Sequence, residues 1–146
     1  KRKTVRGNTF DSIHEADVYT KLCNSASFQD VSLQAKVLIY PKLEPYPNKY
    51  LKIDFSCLTS EGLVWVEAKL VFDAKAINDA FMLRQNNPDV WRALIYVASR
   101  ATIKKQSAAI KRLKRPVIAI ESFASDMASI QSELKPFTPA QRSLCL

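Results

Sequence analysis

The sequence has few of the residue types that several common kinds of site require. Its 146 residues include two Gly, one His and three Cys, whereas average usage would supply about ten Gly. Glycine-cradled phosphate sites of the P-loop and Rossmann types are therefore excluded. The single His excludes multi-histidine zinc sites and leaves no partner set for a Ser-His-Asp triad. Any catalysis must use carboxylates, Lys, or a metal ion held mainly by oxygen ligands.

Long apolar runs and paired cysteines are also missing. No segment approaches the roughly 18 apolar residues of a membrane span, and no signal peptide is visible. Cys23, Cys57 and Cys145 are odd in number, far apart and in no metal-ligand spacing. We therefore expect a reduced, cytoplasmic protein with no membrane partner.

Basic residues are abundant and unevenly spread. They exceed acidic residues by 22 to 14, a formal charge of +8 that favours an anionic partner, with DNA the first candidate. Half of them lie in residues 1–8 and 100–115, and the second segment contains no acid. Such runs are often only solvated surface, but they are also common contacts to the DNA backbone. The candidate contacts in them are Lys3, Arg6, Arg100, Lys104, Lys105, Lys111 and Arg112.

The length and the 47% hydrophobic content suit one domain with a single sizeable core. Helix and strand patterns along the chain predict an α/β fold with a mixed central sheet flanked by helices. The predicted helices cover residues 13–22, 73–87, 102–113 and 122–134, and the predicted strands cover residues 31–40, 50–57, 63–70, 90–99 and 117–121. We expect the domain to span residues 9–135, between a flexible basic arm at residues 1–8 and a loose tail at residues 136–146.

Two neighbouring strands carry the residues that suggest chemistry. Residues 50–57 alternate between apolar and polar side chains, which places Asp54 on the face away from the core. A turn makes residues 63–70 the next strand of a hairpin, on which Glu67 and Lys69 project to the same side. Two carboxylates held together repel each other unless a hard divalent cation such as Mg²⁺ neutralises them. Asp54, Glu67 and Lys69 therefore suit phosphodiester hydrolysis, with Lys69 stabilising charge or orienting water.

Each of these features also has a simpler explanation. A single Asp on the polar face of a strand is ordinarily solvated, and Glu and Lys two residues apart ordinarily form a weak exposed pair. Glu15, three residues after Ser12, completes a helix capping box and needs no other role. The functional interpretation is favoured because the three hairpin residues occupy facing positions in a basic protein.

These residues resemble the PD-(D/E)XK nuclease superfamily and, within it, the endonuclease I family of phage Holliday junction resolvases. The shared features span residues 10–105. They are Phe10, Ser12 and Glu15 at the first helix, Asp54-Phe55, Val66-Glu67-x-Lys69, and Arg84 with Asn87-Pro88 before the strand ending near Arg100. The chain departs from the pattern at Ile53, where the family usually has Pro, and at Leu70, where Gly commonly follows the Lys.

The resemblance implies a restriction-endonuclease-like core and a Mg²⁺-dependent endonuclease, with Mn²⁺ able to substitute, that acts on branched DNA as a homodimer. It implies that Glu15, Asp54, Glu67 and the backbone carbonyl of Ala68 bind the metal and that Lys69 assists attack by water. It also adds Arg84 to the DNA contacts. In the family the subunits exchange segments, and the Pro-rich residues 41–47 are the expected crossing point.

The residues leave two alternatives open. One is a homing or transposon-type endonuclease of the same superfamily. The other is a non-catalytic DNA-binding module that keeps the fold.

Overall fold

In the computed structural model, the described residues are 2–40, 45 and 47–138. The strands are β1 (Lys3–Val5), β2 (Asn8–Phe10), β3 (Gln29–Tyr40), β4 (Lys49–Thr59), β5 (Gly62–Ala68), β6 (Leu94–Ala98) and β7 (Val117–Ala119). The helices are α1 (Ile13–Asn24), α2 (Ala74–Asn86), α3 (Pro88–Arg92), α4 (Arg100–Lys105), α5 (Ser107–Leu113) and α6 (Phe123–Ser129), with a 3-10 turn at Ile120–Ser122. Most of the expected crossing segment, residues 41–44 and 46, and the tail residues 139–146 lie outside the described residues.

Five of the strands form one mixed sheet in the order β3-β4-β5-β6-β7. The first three are antiparallel neighbours, whereas β6 and β7 continue parallel to β5. Helices α1 and α6 pack on one face, and α2, α3 and α5 pack on the other. The predicted α/β fold with a mixed sheet flanked by helices is confirmed. None of the described helices has the length and apolar character needed to cross a bilayer.

The alternation predicted for residues 50–57 is confirmed only in part: Leu51 and Ile53 pack with the residues beneath α2 and α3, whereas Phe55 and Cys57 pack with those beneath α1, so the four apolar side chains do not share one face. Ile53, Phe55 and Cys57 of β4 are buried, while the residues between them face outward or lie at the core's margin. On the face covered by α1, the ring of Phe55 lies 5.9 Å from that of Tyr19, which fixes α1 against β4. This contact holds the middle of α1 against the sheet.

Residues 3–10 form a hairpin, so the prediction of a flexible arm over residues 1–8 was wrong. β1 and β2 are joined by Arg6 and Gly7, whose φ angles of 51° and 81° are both positive, as a type I′ turn requires. The hairpin docks on α1, where Lys3 Nζ donates to Asp17 Oδ1 at 3.0 Å. The density of basic residues favoured the prediction of a flexible arm, whereas Gly7 favours the turn that is observed.

Two predicted elements are divided. Residues 90–99 were expected to form one strand, but α3 occupies Pro88–Arg92 and β6 begins at Leu94. Pro88 fits the first position of a helix, where its missing N–H has no intrahelical partner to lose. The helix expected over residues 102–113 is interrupted at Gln106, whose side-chain Oε1 accepts a hydrogen bond from Phe72 N–H at 2.7 Å.

The predicted loose tail is docked at its start. Phe137 exchanges two backbone hydrogen bonds of 2.8 Å with Leu63, and its side chain lies edge-on to Trp65 with ring centroids 5.4 Å apart. The close approach depends on Gly62, which has a φ of 142° and on which a Cβ would collide with the Phe137 carbonyl group. Residues 136–138 therefore belong to the folded domain.

Gly62→Ala is expected to lower the free energy of unfolding by about 2–4 kcal/mol, because the added methyl group must displace the Phe137 backbone at a residue with positive φ. Gly7→Ala is the matched control. Its φ is also positive, but nothing lies within 4 Å of the added Cβ, so we expect a loss of about 1 kcal/mol. Urea unfolding followed by Trp fluorescence measures both, and equal losses would contradict the close packing of Phe137 on Gly62.

Candidate active site

β4 loses its pairing with β5 at Asp54, and its pairing with β3 skips that one position. Counted from the turn between β4 and β5, the last residues of the two strands that pair are Phe55 and Val66. Asp54, the next residue of β4, has no partner in β5. On the other side, the β3 residue opposite Asp54 is Gln34, which has a φ of 54° and is absent from the strand pairing. Backbone N–H groups in a partly buried position need other partners.

Two carboxyl groups supply those partners. Glu67 Oε1 accepts a hydrogen bond from Asp54 N–H at 3.0 Å, and Asp54 Oδ2 accepts one from Ala68 N–H at 2.9 Å. Each acid therefore bonds to the backbone of the opposite strand. β5 continues along β6 instead, where Lys69 N–H donates to the Val97 carbonyl at 3.0 Å. We call this gap between β4 and β5 the notch, and define it by Asp54, Glu67, Ala68 and Lys69.

The Glu67 carboxyl group in the notch has little access to water. The Glu67 side chain is 13% exposed. Burial raises the pKa of Glu67 to about 9, and the hydrogen bond with the Asp54 side chain and the charge of Asp54 add to the rise, while Lys69 opposes it. Glu67 therefore holds a proton near neutral pH unless a cation replaces it.

Lys69 projects to the same side as Glu67, as predicted. Its Nζ lies 3.9 Å from Glu67 Oε2, and its side chain is 30% exposed. Because 3.9 Å is long for an ion pair, the ammonium group is not held tightly by Glu67. It can also interact with an anion at the mouth of the notch.

The loop after Lys69 is fixed to α4. Thr102 Oγ1 donates to the Leu70 carbonyl at 3.2 Å, and Gln106 accepts from the N–H of Phe72. Leu70 and Val71 are nevertheless more than half exposed. The departure from the family pattern at Leu70 therefore places an apolar side chain on the surface beside Lys69.

Glu15 lies beside the carboxyl pair and is not part of it. Its N–H donates to Ser12 Oγ at 3.1 Å, which confirms the Ser12 half of the predicted capping box at the start of α1. Burial, followed by the charge of Asp54, raises the pKa of Glu15, so the two carboxyl groups are within electrostatic range. Within residues 2–40, 45 and 47–138, no three His, Cys, Asp or Glu side chains form a compact metal-binding group. The structure thus brings Asp54 and Glu67 together and leaves Glu15 at the margin.

The donor atoms in the notch suit a hard divalent cation. Asp54 Oδ1 and Glu67 Oε2 are not used in the two backbone hydrogen bonds. Together with the Ala68 carbonyl they form an all-oxygen set of the kind that Mg²⁺ prefers. A cation would also take the place of the proton that the raised pKa of Glu67 implies.

Some predicted DNA contacts lie at the same edge of the sheet as the notch. β5 and β6 are parallel and end together at Ala68 and Ala98, which define the carboxyl edge. Arg100 begins α4 at this edge, and Lys104 and Lys105 are exposed in its last turn. Lys111 and Arg112 are exposed on α5, which leads the chain back toward the opposite edge.

The remaining predicted contacts lie elsewhere. Lys3 and Arg6 face α1, where Arg6 contacts Asn24 at 3.4 Å. Arg84 is in the last turn of α2, and its guanidinium lies 4.6 Å from the centre of the Trp91 ring. The structure does not bring these three residues to the notch.

His14 has no part in the site inferred from the sequence, yet it reaches the carboxyl edge. Its Nε2 lies 3.0 Å from the carbonyl oxygen of Val97, a residue 83 positions away. No local pattern signals a contact over such a separation. The one hint available was that His14 directly precedes Glu15 at the start of a capped helix.

Comparisons with known proteins identify no family for this chain. No family model matches it, and no curated protein matches it. Among solved structures, it is similar to protein VC1899 from Vibrio cholerae, with 14% sequence identity and a TM-score of 0.49 over 90% of this chain. The chain spans 38% of the length of that protein's chain. This degree of likeness has no bearing on function.

Glu67→Gln is expected to remove a fall in stability with rising pH. The native state of the metal-free protein holds a proton on Glu67 up to about pH 9, whereas the unfolded chain loses it near pH 4.5. The native state therefore binds more protons than the unfolded state within this window, and its stability falls as the pH rises. The Gln variant, which keeps the acceptor for Asp54 N–H, should be more stable than the native protein at pH 8 by about 1–3 kcal/mol.

Urea unfolding at pH 5, 6.5 and 8 in the presence of EDTA measures this difference. Glu61→Gln, an exposed acid in the β4–β5 turn, is the matched control and should follow the native profile. If Glu67→Gln follows it too, the pKa of Glu67 is not raised in the folded protein, and neither burial nor the charge of Asp54 acts on it as the structure implies.

Proposed function

We propose that this protein is a metal-dependent endonuclease that hydrolyses phosphodiester bonds in DNA. The observation that supports this most strongly is the carboxyl pair of Asp54 and Glu67 in the notch, with Lys69 Nζ 3.9 Å from Glu67. Acids on a solvated strand face do not have such a raised pKa. Strongly perturbed acids beside a Lys are typical of catalytic sites.

Each residue of the notch has a task in this proposal. Asp54, Glu67 and the Ala68 carbonyl would hold Mg²⁺ or Mn²⁺, which when bound supplies Lewis-acid charge beside the scissile phosphate. Lys69 donates hydrogen bonds to the attacking water or to a phosphate oxygen. Its positive charge stabilises the negative charge that develops on the phosphate.

The exposed basic residues of α4 would bind the DNA backbone next to the notch. Arg100, Lys104 and Lys105 lie on the helix that also fixes the loop after Lys69. Contacts of this kind contribute affinity and orientation and do not select a sequence. Their position at the carboxyl edge is what separates them from Lys3, Arg6 and Arg84.

Selectivity for branched DNA and assembly as a homodimer are supported by the resemblance to the resolvase family alone. Resolving a four-way junction takes two cuts, so two notches would act together. Cleavage of four-way junctions, flaps, linear duplex and single strands distinguishes a resolvase from a homing or transposon-type endonuclease. Light scattering gives the number of subunits, and a monomer that retains activity would exclude the dimer.

One observation favours the alternative of a non-catalytic DNA-binding module. Both acids of the notch accept backbone hydrogen bonds, which is also what purely structural acids would do at an interrupted strand. Under this alternative, calorimetry detects no Mg²⁺ binding, and no DNA is cleaved with Mg²⁺ or Mn²⁺.

Asp54→Asn and Lys69→Met are each expected to lower cleavage of branched DNA by at least about 100-fold while leaving DNA affinity within a few-fold of native. The reason is that neither residue belongs to the basic surface on α4. Lys135→Met is the matched control for Lys69→Met. Lys135 is exposed, and its N–H bonds to the Arg92 carbonyl at the far edge of the sheet. Single-turnover cleavage and fluorescence anisotropy measure the two properties, and equal losses in both would contradict a catalytic role.

Replacing Lys104 and Lys105 together with Gln is expected to weaken DNA binding and to reduce the slope of log affinity against log salt concentration by about 2, because two phosphate contacts are lost. Arg84→Gln is the control at the far end of α2 and should leave the slope unchanged. Anisotropy titrations between 50 and 200 mM NaCl, about the range over which phosphate contacts are resolved, provide the slopes. A larger effect of Arg84→Gln would place the DNA on the opposite edge.

A further inference from the structure

His14 makes a contact that the proposed function has not used. Its Nε2 and the carbonyl oxygen of Val97 are 3.0 Å apart, and the contact is partly buried. A carbonyl oxygen can only accept, so Nε2 carries the hydrogen and donates it. The bond joins the first turn of α1 to the end of β6.

The same carbonyl oxygen also accepts the backbone N–H of Lys69, at 3.0 Å. A carbonyl oxygen has two lone pairs and can accept both bonds. Val97 therefore links two elements through one atom: α1, by way of His14, and the end of β5, by way of Lys69. The position of α1 is fixed relative to the notch and not only relative to the hydrophobic core.

Glu15 is the next residue after His14 and depends on this link. Ser12 Oγ accepts the Glu15 N–H at 3.1 Å, which sets the conformation of the first turn. His14 sets where that turn lies on the sheet. Glu15 is within electrostatic range of Asp54 but stands outside the carboxyl pair. Its distance from a cation in the notch would follow from where the turn is held.

We propose that His14 is a positioning residue for metal binding: its hydrogen bond to the Val97 carbonyl holds Glu15 beside the notch formed by Asp54, Glu67, Ala68 and Lys69, where the negative charge of Glu15 adds to the attraction for a cation in the notch. This inference rests on the proposed function, since it concerns the same site. Residues that orient metal ligands through hydrogen bonds typically change metal affinity or activity by about 10–100-fold when they are replaced.

Two substitutions separate the hydrogen bond from the bulk of the side chain. The amide nitrogen of Gln stands the same number of bonds from Cβ as Nε2 of His, so His14→Gln keeps a donor at similar reach. His14→Leu fills the space without a donor. Mn²⁺ binding to the protein without DNA is measured by electron paramagnetic resonance. We expect His14→Leu to weaken Mn²⁺ binding by about 10–100-fold and His14→Gln to restore most of it.

A double-mutant cycle with Glu15→Gln tests whether His14 acts through Glu15. If it does, His14→Leu has little further effect on Mn²⁺ binding once Glu15 has been replaced. A merely structural role of His14 would instead lower the stability of the fold and reduce Mn²⁺ binding equally in both backgrounds. His14→Ala serves in place of His14→Leu should the latter fail to give the native circular dichroism spectrum.

The outcomes distinguish this inference from the proposed function. If the native protein binds no Mn²⁺ and cleaves no DNA, the nuclease proposal and the positioning role of His14 are both excluded. If the native protein binds Mn²⁺ and cleaves DNA but His14→Leu binds Mn²⁺ with native affinity, the role of His14 is overturned and the nuclease proposal stands. Failure of His14→Gln to restore binding would also overturn it, because the donor would then not be what matters.

Discussion

The interruption of strand pairing at Asp54 is the constraint on which the candidate site depends. β4 parts from β5 at this point, and backbone N–H groups that lose a strand partner within a folded domain must find another. The carboxyl groups of Asp54 and Glu67 take that place. They are therefore held close together in a partly buried position, and the raised pKa of Glu67 follows from its burial and from the neighbouring Asp54. An acid pair in this position is stabilised either by a proton or by a cation.

The parallel arrangement of β5 and β6 determines what surrounds the pair. Parallel strands end at the same edge of a sheet, so Lys69 and the start of α4 are brought together although they are about 30 residues apart in the chain. At the opposite edge of the sheet, where β6 begins, a basic residue binds the backbone instead of facing solvent. There Arg115 donates to the carbonyls of Leu94 and Arg92, and burial lowers its pKa to about 10. Basic residues at one edge are exposed, whereas Arg115 at the other anchors the chain.

The sequence predicted the parts of this structure that depend on short-range patterns. Alternation along β4 identified Asp54 as a polar position between the buried residues Ile53 and Phe55, the two-residue spacing placed Glu67 beside Lys69, and the Ser12 cap placed Glu15 in the first turn of α1. It did not predict contacts between distant segments, such as His14 with Val97 or Phe137 with Leu63, because nothing local records them. Two predictions failed because one sequence signal was given more weight than another. The basic residues near the N-terminus indicated a flexible arm, although Gly7 favours a turn at Arg6 and Gly7. Pro88 follows the end of one predicted helix, but it also begins α3.

The attachment of the loop after Lys69 to α4 has a mechanical consequence. Hydrogen bonds from Thr102 and to Gln106 hold the backbone on both sides of Val71, and Phe72 is buried against Tyr96. The segment cannot swing independently of the basic helix. The spacing between the backbone at Lys69 and α4 is therefore a fixed property of the fold. A ligand that contacts both Lys69 and α4 must therefore fit a backbone separation that is already set before the ligand binds.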